Sequence, residues 1–468
     1  MTPALPLSPS AVGTTGTKVH IIGAGGVGMS GLALLLKRSG CEITASDATD
    51  SVYLRKLAEK DITTWVGSDP GRIARDAHVY YSSAIKPEDP ERAFAEQSGM
   101  RCESRHALLS AITAEYYTIA VAGCHGKTTT SAWIAELLVA GGFDPTALIG
   151  GTVPAWQSNY REGAGRIDSL PVLVIEADES DRSFLSIAAR AALVTNIDLD
   201  HTDVHASLET LRDDFTTFAK SALAHGGWIA ASKECDEAVT ALMHEPDNAL
   251  RNQISIHPEK HALQLGGRFF PVGLAGKHNL MNASLVLQTG LKLAVAPDII
   301  ADVLQNFSGV NRRMQKLAVF PRNKLTVIDD YAHHPQEIAA TLAALAPQYE
   351  RLLVFWEPHR LSRFCHFSEE FETALKPYAH NSNVLVLPIF VSGDRAADYP
   401  QAENLYQKFR ESPFRAIDAI PELRPELIRI DGKNTAAVFM GAGKSSDYAH
   451  EFVSWIRTQI GENENKLS

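Results

Sequence analysis

Short apolar runs recur along the chain, each ending in glycine or acidic residues and each followed by a stretch with helical periodicity. They include "KVHIIG", "CEITASD", "TIAVAG", "PVLVIEADES", "AALVTNID", "KLTVIDD", "RLLVFWE" and "NVLVLPIF". Runs that are apolar throughout, alternating with amphipathic stretches such as "MSGLALLLKRSG", predict parallel strands covered on both faces by helices. The expected fold class is therefore α/β, with sheets of the doubly wound kind. Ligands of such sheets sit beyond the carboxyl ends of the strands, which is where this chain places its chemically interesting residues.

With 468 residues the chain is too long for one hydrophobic core. The pattern divides it into a tail at 1–17, a first unit at 18–113, a second at 114–313 and a third at 314–468. Each of the three units is expected to carry a mostly parallel sheet flanked by helices. The first and third should be Rossmann-like and the second P-loop ATPase-like. The start, rich in Pro, Ser, Thr and Gly, lacks the charge and the sustained apolar stretch of a secretory signal. No run reaches the roughly 20 apolar residues of a membrane helix. Five scattered cysteines without a CxxC fit a reducing cytoplasm and oppose both disulfides and zinc. A formal net charge of −11 gives no reason to expect nucleic acid, so anionic ligands must be caught by local groups.

Two of the strand ends carry phosphate chemistry. Gly23, Gly25 and Gly28 fit G-x-G-x-x-G between a strand and a helix, an arrangement that lets backbone amides approach a diphosphate. Asp47 follows at the end of the next strand, where an acid can hold a ribose hydroxyl. In "AGCHGKTTT", Gly123 and Gly126 bracket Cys124 and His125, and Lys127, Thr128 and Thr129 open a helix. A Walker A loop would need glycine at 121, where this chain has Val121. Even so, the lysine can meet β- and γ-phosphates and the Thr128 hydroxyl can ligate Mg²⁺. Two acidic strand ends follow, with Glu176, Asp178, Glu179 and Asp181 on one and Asn196, Asp198, Asp200, His201 and Asp203 on the other. Clustered carboxylates need a cation or a basic partner, and hard oxygens beside a phosphate loop suit Mg²⁺.

Further on, Asn279 could cap a helix, and Asn282 lies one turn later, so both amides can face one ligand edge. Asp329, Asp330, Tyr331, His333 and His334 end one strand; His359, Arg360 and Arg363 end the next. The two arginines can present guanidinium donors to a carboxylate, or pair with Glu369 or Glu370 on a surface helix.

Taken together, "GAGGVGMSG", "SSAIK", "GCHGKTTT", "EADESDRSF", "TNIDLDH", "GKHNLMNA", "GVNRRMQ", "DDYAHHPQE" and "PHRLSR", in that order, resemble the Mur ligase family. "GMSG" and H-R-x-x-R are nearest to its alanine-adding branch; the branch that recycles whole peptides is the near alternative. The resemblance implies ATP-dependent joining of L-alanine to the lactyl carboxylate of UDP-N-acetylmuramate through an acyl phosphate. It implies a cytoplasmic monomer or weak homodimer that binds no nucleic acid and no membrane. By position, Gly25, Gly26, Gly28, Ser30 and Asp47 would hold UDP, with Ser82 and Ser83 facing the diphosphate. His125, Asn159 and Arg161 would face the muramoyl part. The 123–129 turn, Asn279, Asn282, Arg313 and Asp330 would serve ATP. Thr128, Glu176 and His201 would ligate Mg²⁺, two ions in all, with Mn²⁺ as a substitute. Tyr331, His333, Arg360 and Arg363 would recognise alanine, and Lys127, Glu176, His201 and His333 form the catalytic set. Cys124 stands where the family usually has threonine, Gly67-Ser68 replaces Gly-His, and "WEPHRLSRF" replaces a Q-P-H-R-Y-T-R pattern. From other classes, a dinucleotide-dependent oxidoreductase would explain the first fingerprint alone, and a regulatory nucleotide binder the phosphate turn without turnover.

Overall fold

Burial on both faces decides which runs become central strands. In the computed structural model, which describes residues 15–198, 204, 205, 207–380, 383–419 and 433–464, all six residues of Tyr117–Ala122 are buried, as are all six of Thr435–Met440. Each is the centre of its sheet. The chain forms two compact units, one made of residues 1–274 and 279–308, the other of 275–278 and 309–468.

The first unit contains two large sheets. Strands β1 (Lys18–Ile22), β2 (Glu42–Asp47), β3 (Thr63–Val66), β4 (His78–Tyr81) and β5 (Cys102–Ser104) lie in the order β3-β2-β1-β4-β5, all parallel. The order reverses at β1, which puts the glycine fingerprint at the switch point where such sheets bind ligands. The next sheet uses β6 (Tyr117–Ala122), β7 (Thr146–Val153), β8 (Ser158–Arg161), β9 (Arg166–Ile167), β10 (Leu170–Glu176), β11 (Ala191–Val194) and β12 (Trp228–Ala231). Its order is β12-β11-β6-β10-β7-β8, with β9 on β10. Because β6 lies between β10 and β11, in register Val121 with Glu176 and Ala122 with Val194, both acidic strand ends emerge beside the Gly123 turn. Helix Lys127–Ala140 buries ten of its fourteen residues, and a helix apolar on all sides belongs inside a core.

Antiparallel pieces are the departure from the expected pattern. β8 turns back on β7, and β13 (Ser255–His257), β14 (Ala262–Leu265) and β15 (Arg268–Pro271) form a separate antiparallel sheet. In β15 only Phe270 is buried, as in a sheet with one solvated face.

The second unit is built on β16 (Gln315–Phe320), β17 (Leu325–Asp330), β18 (Arg351–Trp356), β19 (Val384–Val386), β20 (Arg415–Ala416) and β21 (Thr435–Met440), in the order β16-β17-β21-β18-β19-β20. Only β16 is antiparallel. One face packs Trp356 against Phe364, Phe371 and Phe409; the other stacks Phe355 on Phe439 at 4.1 Å. The ends of β17 and β18 flank that of β21, which brings the Asp330 and Arg360 loops to one edge. All eight runs quoted above as strands are strands.

Candidate functional site

The fingerprint turn closes on its own acid. Asp47 Oδ2 accepts from Gly25 N at 2.8 Å, Ser51 Oγ donates to Gly25 O at 2.8 Å, and a Cβ at Gly25 would stand 2.6 Å from Asp47 Cγ. Glycine is needed here for close approach. Gly26 and Gly28 continue into helix Val27–Arg38, where Ser30 is buried and donates to Val27 O. Asn159 Nδ2 reaches Val27 O at 2.7 Å and Ser30 Oγ at 3.3 Å, so β8 braces this helix start. Arg161, on the same strand, pairs with Asp144 at 2.7 Å and pins the chain before β7. Ser82 follows β4 beside Gly23, and Ser83 Oγ donates to Asp181 at 2.7 Å.

Sequence reasoning missed Arg105. Its guanidinium lies 3.2 Å from where a Gly28 Cβ would stand, and it bonds Asp181 at 3.0 Å and Ser183 Oγ at 3.1 Å. An arginine opening an ordinary helix carries no motif, and only the fold brings it to the turn.

At the second turn, Val121 is a buried strand residue, so the turn is the shorter Gly123–Gly126 segment. Gly123 has φ +136° and a Cβ there would stand 1.9 Å from Thr195 Oγ1; Gly126 has φ +82° and faces Asn282 Oδ1 at 2.5 Å from an added Cβ. Neither position admits a side chain without strain. The turn is tied to the loop after β11: Cys124 N donates to Asn196 O, Cys124 Sγ to Asp198 O at 2.9 Å, and His125 N to Asn196 Oδ1 at 2.9 Å. Burial pushes the Cys124 thiol well above its usual pKa.

Lys127 Nζ sits 2.7 Å from Gly123 O and 2.8 Å from Glu179 Oε2. Burial opposes its charge, but Glu179, Asp178 and Glu176 outweigh that and raise its pKa, so it stays protonated. Burial in turn raises the Glu179 carboxyl, against the pull of Lys127. Thr128 Oγ1 donates to Glu176 Oε1 at 3.1 Å, and Glu176 Oε2 accepts from Gly150 N. Thr129 is buried behind them. Among the described residues no three His, Cys, Asp or Glu groups converge on a metal-sized space. A hydroxyl beside one carboxylate is still a donor set that suits Mg²⁺, whose remaining positions go to water and phosphate oxygens. His201, with Asp200 and Asp203, lies outside the described residues.

Asn279 is no helix cap: the helix begins at Lys277, and Asn279 lies inside its first turn, buried, accepting from Asn282 Nδ2 at 3.2 Å. The two amides do share one face, and Asn282 abuts Gly126.

In the second unit, Asp330 accepts from Met314 N at 2.8 Å and Ala332 N at 2.7 Å. Burial, against Arg313 and these amides, pushes its carboxyl up to about 6. The Arg313 guanidinium stands 5.0 Å over the Tyr331 ring. His333 Nδ1 lies 2.9 Å from Tyr331 O and 3.3 Å from Glu337, and its ring is 5.6 Å from that of His359. His359 is 3.4 Å from Arg363 Nη1; burial and both arginines push its pKa down to about 4, so it is neutral near pH 7. Arg360 pairs with Asp394 at 3.2 Å, while Glu369 and Glu370 stand exposed on the following helix. Glu357, at the position noted above as Gln in the family pattern, accepts from Gly443 N and Lys444 N at 2.8 and 2.7 Å. The 123–128 turn and its acids thus form one cluster in the first unit, and Tyr331, His333, His359 and Arg363 form another in the second.

Two strand-end centres on mostly parallel sheets, one a glycine–lysine–threonine turn with acids beside it and one rich in arginine and histidine, have the form of a nucleotide-using α/β enzyme. Comparison with known proteins agrees. Family models match residues 18–117 (Mur ligase family, catalytic domain), 121–290 (Mur ligase middle domain) and 312–443 (Mur ligase, glutamate ligase domain). The UDP-N-acetylmuramate–L-alanine ligase of Hyphomonas neptunium is 32% identical over 94% of this chain and 97% of its own length. That of Synechococcus is 33% identical over 95% and 87%. The crystal structure of UDP-N-acetylmuramate-alanine ligase from Thermotoga maritima superposes with a TM-score of 0.75 over 94% of this chain and 99% of that one, at 24% identity. A murein peptide ligase from Psychrobacter arcticus gives 0.65 at 19% identity, over 94% and 98%. The chain belongs to the Mur ligase family.

Proposed function

We propose that the chain is an ATP-dependent ligase that joins L-alanine to the lactyl carboxylate of UDP-N-acetylmuramate, giving UDP-N-acetylmuramoyl-L-alanine, ADP and phosphate in peptidoglycan precursor synthesis. The observation that carries this reading is the pairing of Lys127 with Glu179 at 2.8 Å at the mouth of a glycine turn, in a family whose alanine-adding members match 94–95% of the chain.

A carboxylate has no usable leaving group for attack by an amine. Its oxygen therefore takes the γ-phosphoryl of ATP, ADP leaves, and the mixed anhydride carries phosphate as leaving group. The uncharged amine of alanine then adds to the acyl carbon, and phosphate departs. Lys127 opposes the repulsion between the two anions that must meet, and the turn amides orient the terminal phosphate. Thr128 and Glu176 would hold Mg²⁺, which supplies further charge compensation on the phosphates. Asn279 and Asn282 offer amide donors and acceptors to the adenine edge. The fingerprint turn, with Ser82, Ser83 and Arg105 around it, supports a diphosphate site. Arg360 and Arg363 suit the amino-acid carboxylate, and the removal of the ammonium proton is assigned to His333, which Glu337 and Tyr331 O hold. Domain limits of 18–113, 114–313 and 314–468 belong to this proposal. Five unpaired cysteines support a cytoplasmic setting.

An oxidoreductase reading leaves Lys127, Glu179 and Glu176 without work. The deciding assay is ATP consumption with UDP-N-acetylmuramate, Mg²⁺ and each amino acid supplied separately. Phosphate release with L-alanine supports the proposal, and release with no amino acid, or reduction of a nicotinamide cofactor, overturns it.

A further inference from the structure

Arg360 stands in a backbone conformation that arginine rarely adopts. It is the N-terminal flank of helix Leu361–His366, with φ 62° and ψ 130°. A non-glycine residue stays there only when its surroundings over-determine it. The constraint comes from a segment 30–34 residues away, the loop after β19. Arg360 N donates to Phe390 O at 2.8 Å, Phe390 N donates to Pro358 O at 2.9 Å, and the His359 ring stacks on the Phe390 ring. At the end of the same loop Asp394 divides its carboxylate. Oδ2 accepts from Ser362 N at 2.8 Å and Ser362 Oγ at 2.7 Å, which supplies the helix cap that Arg360 does not. Oδ1 accepts from Arg360 Nη2 at 3.2 Å.

We propose that Asp394 is a positioning residue for the amino-acid substrate: by pinning the Ser362 backbone two residues on and the guanidinium of Arg360, it sets the direction in which that arginine meets the substrate carboxylate. This rests on the assignment of Arg360 to that carboxylate. The chemistry favours a tether over a rival for the substrate. Oδ2 is committed to Ser362, so Asp394 meets the guanidinium through one oxygen, whereas an amino-acid carboxylate engages arginine best through two parallel bonds. The Asp394 side chain is only 7% exposed. Burial works against its charge, and the bonds from Ser362 and Arg360 overcome this and hold its pKa below the usual carboxylate value, so the anion persists at neutral pH. A tether of this kind removes rotamer freedom from a long side chain before the substrate arrives.

The test uses the full chain and steady-state phosphate release with each of the three substrates varied in turn. Asp394→Ala is expected to raise the KM for L-alanine roughly tenfold or more, with the KM values for ATP and the nucleotide sugar changed less than about twofold. Asp394→Asn, which keeps the shape and one acceptor, is expected to fall between Ala and wild type, and it decides the matter if the Ala variant does not fold. An unchanged KM for L-alanine, or a parallel rise of all three KM values with a fall in Tm, overturns the proposal. Arg360→Ala, run beside it, separates the layers. If Arg360→Ala raises the KM for L-alanine and Asp394→Ala does not, the tether fails alone; if Arg360→Ala also leaves it unchanged, the assignment beneath it fails.

Discussion

The phosphate turn and the arginine loop solve the same problem by opposite means. Each follows a buried parallel strand and turns the chain sharply at or just before a cation. At 123–128 the awkward backbone falls on Gly123 and Gly126, with φ of +136° and +82°, and the lysine comes next in line. At 357–363 the awkward backbone falls on the cation itself, Arg360, and a remote loop holds it there. The glycines take their positive φ without strain, so the partners of this turn, Asn196 and Asp198 after β11 and Glu179, orient its groups without having to hold its backbone. A strained arginine depends on partners far along the chain, which makes its aim adjustable by substitutions at a distance.

The largest expected effect tests the first half. Lys127→Ala should lower phosphate release by roughly a thousandfold or more while calorimetric binding of UDP-N-acetylmuramate is retained; turnover within about tenfold of wild type would show that Lys127 does not serve the phosphates. Next comes the arginine. Arg360→Ala should raise the KM for L-alanine by about 100-fold, with that for ATP nearly unchanged, as expected for loss of a charge-assisted pair. Gly126→Ala should cost about 1–3 kcal/mol in urea unfolding and weaken ATP, because φ is positive and the new Cβ meets Asn282. Arg360→Gly then sharpens the contrast. Although it also loses the guanidinium, it should be more stable than Arg360→Ala by about 1 kcal/mol, since glycine relieves the strain. Equal stability of the two would mean that no strain resides at Arg360.

A pH dependence completes the set. His359 has its folded pKa pushed down to about 4 from an ordinary 6.5, so the unfolded chain binds more protons between those values. Stability should therefore rise with pH across that window and be lost as pH falls from about 6.5 towards 4. In His359→Gln that part of the acid slope should vanish, and urea midpoints measured at several pH values will show whether it does.

What was legible beforehand follows the same division. Strands such as Tyr117–Ala122 and Leu325–Asp330 could be read because a strand buried on both faces must be apolar along its whole length. The Gly123–Lys127 turn could be read because glycine, lysine and threonine in sequence carry a local geometry. The partners that hold these groups could not. Glu179 was visible as one acid among four, but its pairing with Lys127 depends on β10 lying beside β6. Arg105 and Asp394 reach their turns through sheet order and loop path, which leave no periodic trace. Asn279 reads as a cap because amides favour that position, yet the helix starts two residues earlier, at Lys277.

The central claim is that a carboxylate oxygen of the sugar substrate attacks the γ-phosphorus beside Lys127. UDP-N-acetylmuramate labelled with ¹⁸O in the lactyl carboxylate, turned over with ATP and L-alanine, tests this directly by mass spectrometry of the released phosphate. The account predicts that one labelled oxygen moves into phosphate for each amide bond formed. Unlabelled phosphate from a reaction that makes the amide would contradict it.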